Sequence, residues 1–120
     1  MKKILLVDDA INMRELITEI LSPDYNITSV SNGKKALDLL QSENFDLIIT
    51  DVLMPEMDGF ELLMELRKIK PEQKTIAISG EKLSKNFDPL QTIQKLMKCP
   101  ILRKPFHTSE LRAIVNEIIA

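Results

Sequence analysis

Residues 2–21 read KKILLVDDAINMRELITEIL, and the fold can be read outward from them. Ile4–Val7 is a short aliphatic run of strand-forming type. It breaks at two acids, Asp8 and Asp9. Beyond them Met13, Leu16, Ile17, Ile20 and Leu21 recur at spacings of three and four, one apolar stripe of a helix that Asp9 can cap. The same alternation continues along the chain. Asn26–Val30, Leu47–Thr50, Thr75–Ser79 and Ile101–Arg103 read as further strands. Ala36, Leu37 and Leu40 mark a second helix. Phe60, Leu63, Leu66 and Ile69 mark a third, which starts after the Pro55–Gly59 loop and stops before Pro71. Asp88-Pro89 sets an N-cap and a first-turn proline for a fourth helix running to about Lys98. Thr108 can cap a fifth, with Glu110 favoured in its first turn by the helix dipole and Leu111, Ile114, Val115, Ile118 and Ile119 as its stripe.

The first, third and fourth strands are apolar almost throughout, which suits strands covered on both faces. A β-α pattern repeated five times predicts an α/β domain with a parallel sheet and helices on both sides. The polar stretch 81–88 is long for a strand-to-helix connection.

Composition bounds the function. The chain has 120 residues, the size of one domain, expected over 1–120. Apolar residues at 44% and charged residues at 28% fit a soluble globular protein rather than a disordered one. Lys and Arg number 16 against 18 Asp and Glu, so a net charge of −2 offers no electrostatic case for nucleic acid or an anionic membrane. Cys99 is the single cysteine, which excludes an internal disulfide and predicts a reducing, cytoplasmic setting. No apolar run reaches the ~18 residues of a membrane span, and aromatics at 4% with no Trp give no platform for stacking bases.

The polar residues that interrupt the strands do so at their carboxyl ends: Asp8 and Asp9, Asp51, Ser79 and Lys104. In an open parallel sheet those ends share one rim, where ligands bind. If the first and third strands are neighbours, the three carboxylates meet. Like charges so close either raise their pKa values or recruit a cation. Oxygen ligands on a solvated rim suit Mg²⁺, which keeps several waters, and a metal there is a docking point for a phosphoryl group. Lys104 adds a mobile positive charge and Ser79 a donor hydroxyl. A nucleophile, a metal and two phosphate ligands describe phosphoryl transfer to or from a carboxylate.

With these residues in view, the chain resembles the receiver domain of bacterial two-component response regulators over essentially its whole length. The resemblance is carried by the acidic pair in ILLVDDA, the acceptor in DLIITDVLMPEMDGFEL, the hydroxyl in TIAISG and the lysine in LRKPF. It implies a flavodoxin-like doubly wound (βα)5 fold with strand order 2-1-3-4-5. It implies that Asp51 becomes the aspartyl phosphate. Asp9, Asp51 and the backbone carbonyl of Leu53 would ligate Mg²⁺, with Asp8 acting through water. Ser79 would sense the phosphoryl group, Lys104 would pair with it, and the Lys104–Pro105 bond would be cis. The implied partners are a sensor histidine kinase or phosphotransfer protein and an unknown downstream protein, with a possible dimer through the fourth helix, fifth strand and fifth helix. No enzyme activity beyond self-catalysed phosphorylation and autodephosphorylation is implied.

Three features depart from or qualify the pattern. Ile101 stands where the family usually has Tyr or Phe, so the output signal is expected to travel by the backbone or the fourth helix. Leu53 and Glu81 occupy the two positions that in this family tune access of the hydrolytic water, so the resemblance implies a measurable but not extreme phosphoryl lifetime. Gly80 is expected to keep space for the phosphoryl group.

Other residues carry plainer readings. Met54-Pro55 and Asp58-Gly59 are loop geometry, with Gly59 supplying a special backbone angle. His107 is a surface residue and Cys99 a packing one. Lys82, Lys85, Lys95, Lys98, Arg103 and Lys104 form a solvated basic side or a docking face for an acidic partner. Three competing functions remain. A metal-dependent aspartyl phosphatase would want a second acid where Leu53 stands. A flavin-type cofactor binder would want an uncharged phosphate loop in place of Asp8-Asp9. A receiver-shaped scaffold that takes no phosphate sits badly with the intact acidic set.

Overall fold

The computed structural model describes residues 1–52, 59–80 and 89–119. The order is β1 (Lys3–Val7), α1 (Ile11–Leu21), β2 (Asn26–Val30), α2 (Gly33–Leu40), β3 (Leu47–Asp51), α3 (Gly59–Ile69), β4 (Thr75–Ser79), α4 (Pro89–Met97), β5 (Ile101–Arg103) and α5 (Thr108–Ile119). All pairings are parallel, and the sheet runs β2-β1-β3-β4-β5. This is the expected architecture.

The period of two along each strand divides the core into two layers. Leu5, Val7, Ile48 and Ala77 face Ala36, Leu40, Leu62, Leu63, Leu66, Leu90 and Ile93 of α2, α3 and α4. Ile4, Leu6, Leu47, Ile49, Ile76 and Ile78 face Ile17, Ile20 and Leu21 of α1 and Leu111, Val115 and Ile119 of α5. Strands β1, β3 and β4 are central and almost entirely buried, whereas β2 at one edge alternates between part-buried and exposed. Each fully buried aliphatic side chain contributes about 1.5–3 kcal/mol by leaving water, so these two layers hold the sheet. The Tyr25 hydroxyl, after α1, donates to Asn116 Oδ1 of α5 and ties the two helices of one layer together.

Helix termini correct two sequence expectations. Asp9 does not cap α1; the N-cap is Ala10, without a side-chain cap. Asp9 is one residue too early, and its carboxylate joins other acids instead. Thr108 is the first residue of α5 rather than its cap: the His107 carbonyl accepts the first helical bond, from Leu111, while Glu110 Oε1 accepts the His107 N–H at 2.9 Å. Asn32 caps α2 by accepting from the Lys35 N–H at 2.8 Å. The expected Asp88 cap of α4 lies outside the described residues.

Two backbone positions are tight. A Cβ on Gly59 would sit 2.0 Å from the Asp51 carbonyl oxygen and 2.8 Å from Val52 Cα, and the Gly59 N–H donates to the Val52 carbonyl at 2.9 Å. Gly59 is therefore required for close approach of α3 to the end of β3. It does not supply a left-handed angle, since no described glycine has a positive φ. Lys98, just past α4, does have one, at 51°, while its N–H donates to the Gln94 carbonyl. That is the left-handed ending usually given to glycine.

Two substitutions test these readings by urea denaturation. Gly59→Ala is expected to cost about 2–3 kcal/mol, because the added methyl meets backbone that cannot rotate away. Lys98→Gly is expected to stabilise by about 0.5–1 kcal/mol by removing the Cβ penalty at positive φ.

Candidate functional site

The carboxyl rim of the sheet gathers the acids. Because β1 lies beside β3, Asp8, Asp9 and Asp51 come together, each offering an oxygen within 4.8 Å of the others'. Asp8 is 2% exposed and Asp51 8%, while Asp9 is open to solvent. Asp8 is tied at every polar group. Its N–H donates to the Val30 carbonyl at 3.2 Å, and its Oδ1 accepts the Ala10 N–H at 2.9 Å. Its carbonyl accepts Arg14 Nη1 at 2.7 Å, and its Oδ2 lies 3.4 Å from Lys104 Nζ. Asp51 is held by its backbone: Gly59 packs against its carbonyl, and the buried Thr50 hydroxyl donates to the same oxygen at 2.9 Å.

Lys104 reaches this pair from the far side. Its N–H donates to the Ser79 carbonyl at 3.1 Å, which carries the β4–β5 ladder one residue past β5. The Lys104–Pro105 bond is cis, as the resemblance implied. Nζ stands 3.2 Å from Asp51 Oδ2 and 3.4 Å from Asp8 Oδ2, with its side chain 23% exposed. Burial alone would lower the Lys104 pKa, but the charges of Asp51 and Asp8, with their hydrogen bonds, outweigh it and raise the pKa above the ordinary lysine value. Ser79 is 3% exposed at the end of β4, one residue beyond Ile78, the partner of Asp51. A Cβ on Gly80 would lie 3.0 Å from Lys104 Cβ. The position a Gly80 side chain would take is thus already met by the lysine stem, so the missing Cβ lets Lys104 pack close.

The donor set suits a hard divalent cation. With all groups ionised, three carboxylates against one ammonium leave a formal −2 in a half-buried pocket, a local excess that Lys104 alone does not cancel. Every side-chain ligand atom is oxygen, and the exposed Asp9 leaves one side to water, the environment Mg²⁺ prefers. Leu53 lies outside the described residues, as do Met54-Pro55, Asp58, Glu81, Lys82 and Lys85.

The remaining sequence readings fall as follows. His107 is exposed. Ile101 is half-buried, pairs with Ala77 and packs on the α2–α3–α4 layer. Cys99 is 5% exposed and shares a hydrogen bond of 3.2 Å with the Thr75 hydroxyl; burial pushes its pKa up, partly offset by that bond and by one from the Ala77 backbone. Lys95, Lys98 and Arg103 are exposed, but Lys104 belongs to the acidic cluster and not to a solvated basic side. A cleft of about 530 Å³ lined by Lys2, Phe45, Lys70 and Lys74 lies at the opposite rim, before the strands begin, and holds none of the candidate residues. Sequence reading missed Arg14 and Thr50. Thr50 had a signal, as the one hydroxyl in the buried run of β3. Arg14 looked like an ordinary polar position on an amphipathic helix.

Three comparisons bear on this geometry. Residues 4–116 match the family model described as "Response regulator receiver domain". Among curated proteins the chain is 40% identical over 119 residues to the response regulator receiver protein CpdR of Brucella abortus, covering 98% of this chain and 94% of that one. It is 31% identical over 121 residues to the sporulation initiation phosphotransferase F of Bacillus subtilis, covering 98% and 94%. Among solved structures it superposes on the response regulator TrrA of Thermotoga maritima, in complex with Mg²⁺-BeF, with a TM-score of 0.85 and 34% identity over 98% of this chain and 99% of that one. The family match and these relatives give the chain a phosphoacceptor role, and the phosphatase reading is not favoured. The chain belongs to the response regulator receiver domain family of two-component signalling.

Proposed function

We propose that Asp51 is the phosphoacceptor and that residues 1–120 act as one receiver unit in the cytoplasm. The observation that carries this is the convergence of Asp8, Asp9 and Asp51 within 4.8 Å, with Lys104 Nζ in contact with two of them. One Asp51 oxygen attacks the phosphorus of a phosphohistidine on a kinase or phosphotransfer protein, or of acetyl phosphate. The bond from phosphorus to the donor's nitrogen or oxygen breaks as the new P–O bond forms, and the leaving group departs with its electron pair. Mg²⁺, when bound by Asp9, Asp51 and the Leu53 carbonyl with Asp8 acting through water, supplies positive charge to the phosphoryl oxygens. Lys104 gives up its contact with Asp51 and pairs with a phosphoryl oxygen, so its charge stays compensated throughout. The Ser79 hydroxyl donates to another oxygen.

The chemistry is self-catalysed and ends in hydrolysis of the acyl phosphate. The tie between the Ser79 carbonyl and the Lys104 N–H supports a route by which a shift at either residue reaches β5. With Ile101 in β5, the output is a change in the backbone and α4 rather than a ring swing, read by a downstream protein at the β4–α4–β5 side.

Incubation with acetyl phosphate and Mg²⁺ is expected to add one phosphoryl group by intact mass, and Asp51→Asn to abolish it; modification elsewhere in the variant overturns the assignment. Lys104→Ala is expected to slow phosphorylation about 10²-fold, as loss of a charge-stabilising donor does. The raised Lys104 pKa also fixes a pH dependence. Its stabilising share is complete below the ordinary lysine value of 10.5 and is lost as pH rises through the higher folded value. Denaturant titrations of wild type relative to Lys104→Met are therefore expected to be flat from about pH 7 to 10 and to fall above that.

A further inference from the structure

Arg14 is charged and half-buried, and the phosphoryl chemistry above gives it nothing to do. Its Nη1 nevertheless donates to the Asp8 carbonyl at 2.7 Å, across six residues of chain. We propose that Arg14 is a positioning residue for the cation site, acting through the Asp8–Asp9 peptide; this rests on the reading of the acidic cluster as a metal site.

The argument begins with the planarity of that peptide. The Asp8 carbonyl and the nitrogen and Cα of Asp9 lie in one plane. Gripping the oxygen therefore fixes where the Asp9 Cα sits and the axis of its N–Cα bond, which leaves rotation about that bond as the motion that swings the side chain. The preceding peptide is anchored separately, by the Asp8 N–H on Val30. Asp8 has further ties through Ala10 and Lys104. Asp9 has no such support: it is exposed, and its carboxylate accepts no hydrogen bond from any described residue, although it stands within 4.8 Å of the other two. Among the described residues, its aim is set by backbone alone.

Helix geometry explains why residue 14 can do this. Arg14 sits one turn into α1, with its N–H on the Ala10 carbonyl at 3.1 Å. Side chains lean toward a helix's N-terminus, so a long one in the first turn returns to the strand end that precedes it. A guanidinium offers a planar fork of donors that cannot be deprotonated, and its bond to a carbonyl is charge-assisted.

Charge and geometry predict opposite results, which makes the proposal decidable. Removing a positive charge near three carboxylates should tighten Mg²⁺ binding on Coulomb grounds alone. Loss of positioning should weaken it. Magnesium titrations of the unphosphorylated protein by calorimetry, on wild type, Arg14→Gln and Arg14→Lys, with thermal melts of each, separate the two. The expected result is Mg²⁺ binding about 10-fold weaker in Arg14→Gln, of the size seen when outer partners of metal ligands are lost. Arg14→Lys should fall between the two, and both should melt cooperatively. Unchanged or tighter binding in Arg14→Gln overturns the proposal, and if that variant does not fold, Arg14→Lys decides by the same comparison with wild type. A wild type that does not bind Mg²⁺ overturns the reading of the metal site itself, whereas a wild type that binds while both variants match it overturns the role of Arg14 alone.

Discussion

Three carboxylates held within 4.8 Å of one another repel, and the rest of the molecule is arranged so that they stay there. Lys104 is the internal counterweight, bridging two of them from the other end of the chain. It joins β1, β3 and the end of β5, so the sheet's order and the electrostatics of its rim depend on each other. The compensation is partial, and the local excess of negative charge is what makes the rim receptive to a divalent ion. A fully neutralised cluster would be more comfortable and would have no reason to bind anything.

The scaffold holds the backbone beneath this charge from several sides. Asp8 is bonded through its N–H, its carbonyl and both carboxylate oxygens. The Asp51 carbonyl is covered by Gly59 and by the Thr50 hydroxyl. Such fixing limits how far the acids can relax apart, and a chemical change at Asp51 then meets partners already in place. The central strands supply the stiffness, since Ile4–Val7, Leu47–Ile49 and Ile76–Ile78 are buried on both faces.

Much of this was legible in the sequence for a simple reason. Strand and helix periods differ, so aliphatic runs alternating with spaced stripes could be told apart, and an acid ending an apolar run marks the same rim wherever it occurs. The site residues were legible because they are the polar exceptions at strand ends. The failures have a common cause in groups with more than one available use. Asp9 suits a helix cap by type, but its carboxylate is engaged in the cluster. Thr108 suits a cap equally well, but the helix opens one residue earlier, on the His107 carbonyl. Arg14 depended on where a helix begins relative to a strand end, a relation that no periodicity expresses.

Gly59 carries no chemistry, yet it sits where even a methyl group would enter the backbone of Asp51. Mutational drift is therefore closed there by packing alone. A survey of tolerated substitutions would rank it beside the acids and could mistake it for one of the working parts. Intolerance at this position measures how near a helix has been brought to a strand, and says nothing of what the strand's side chain does.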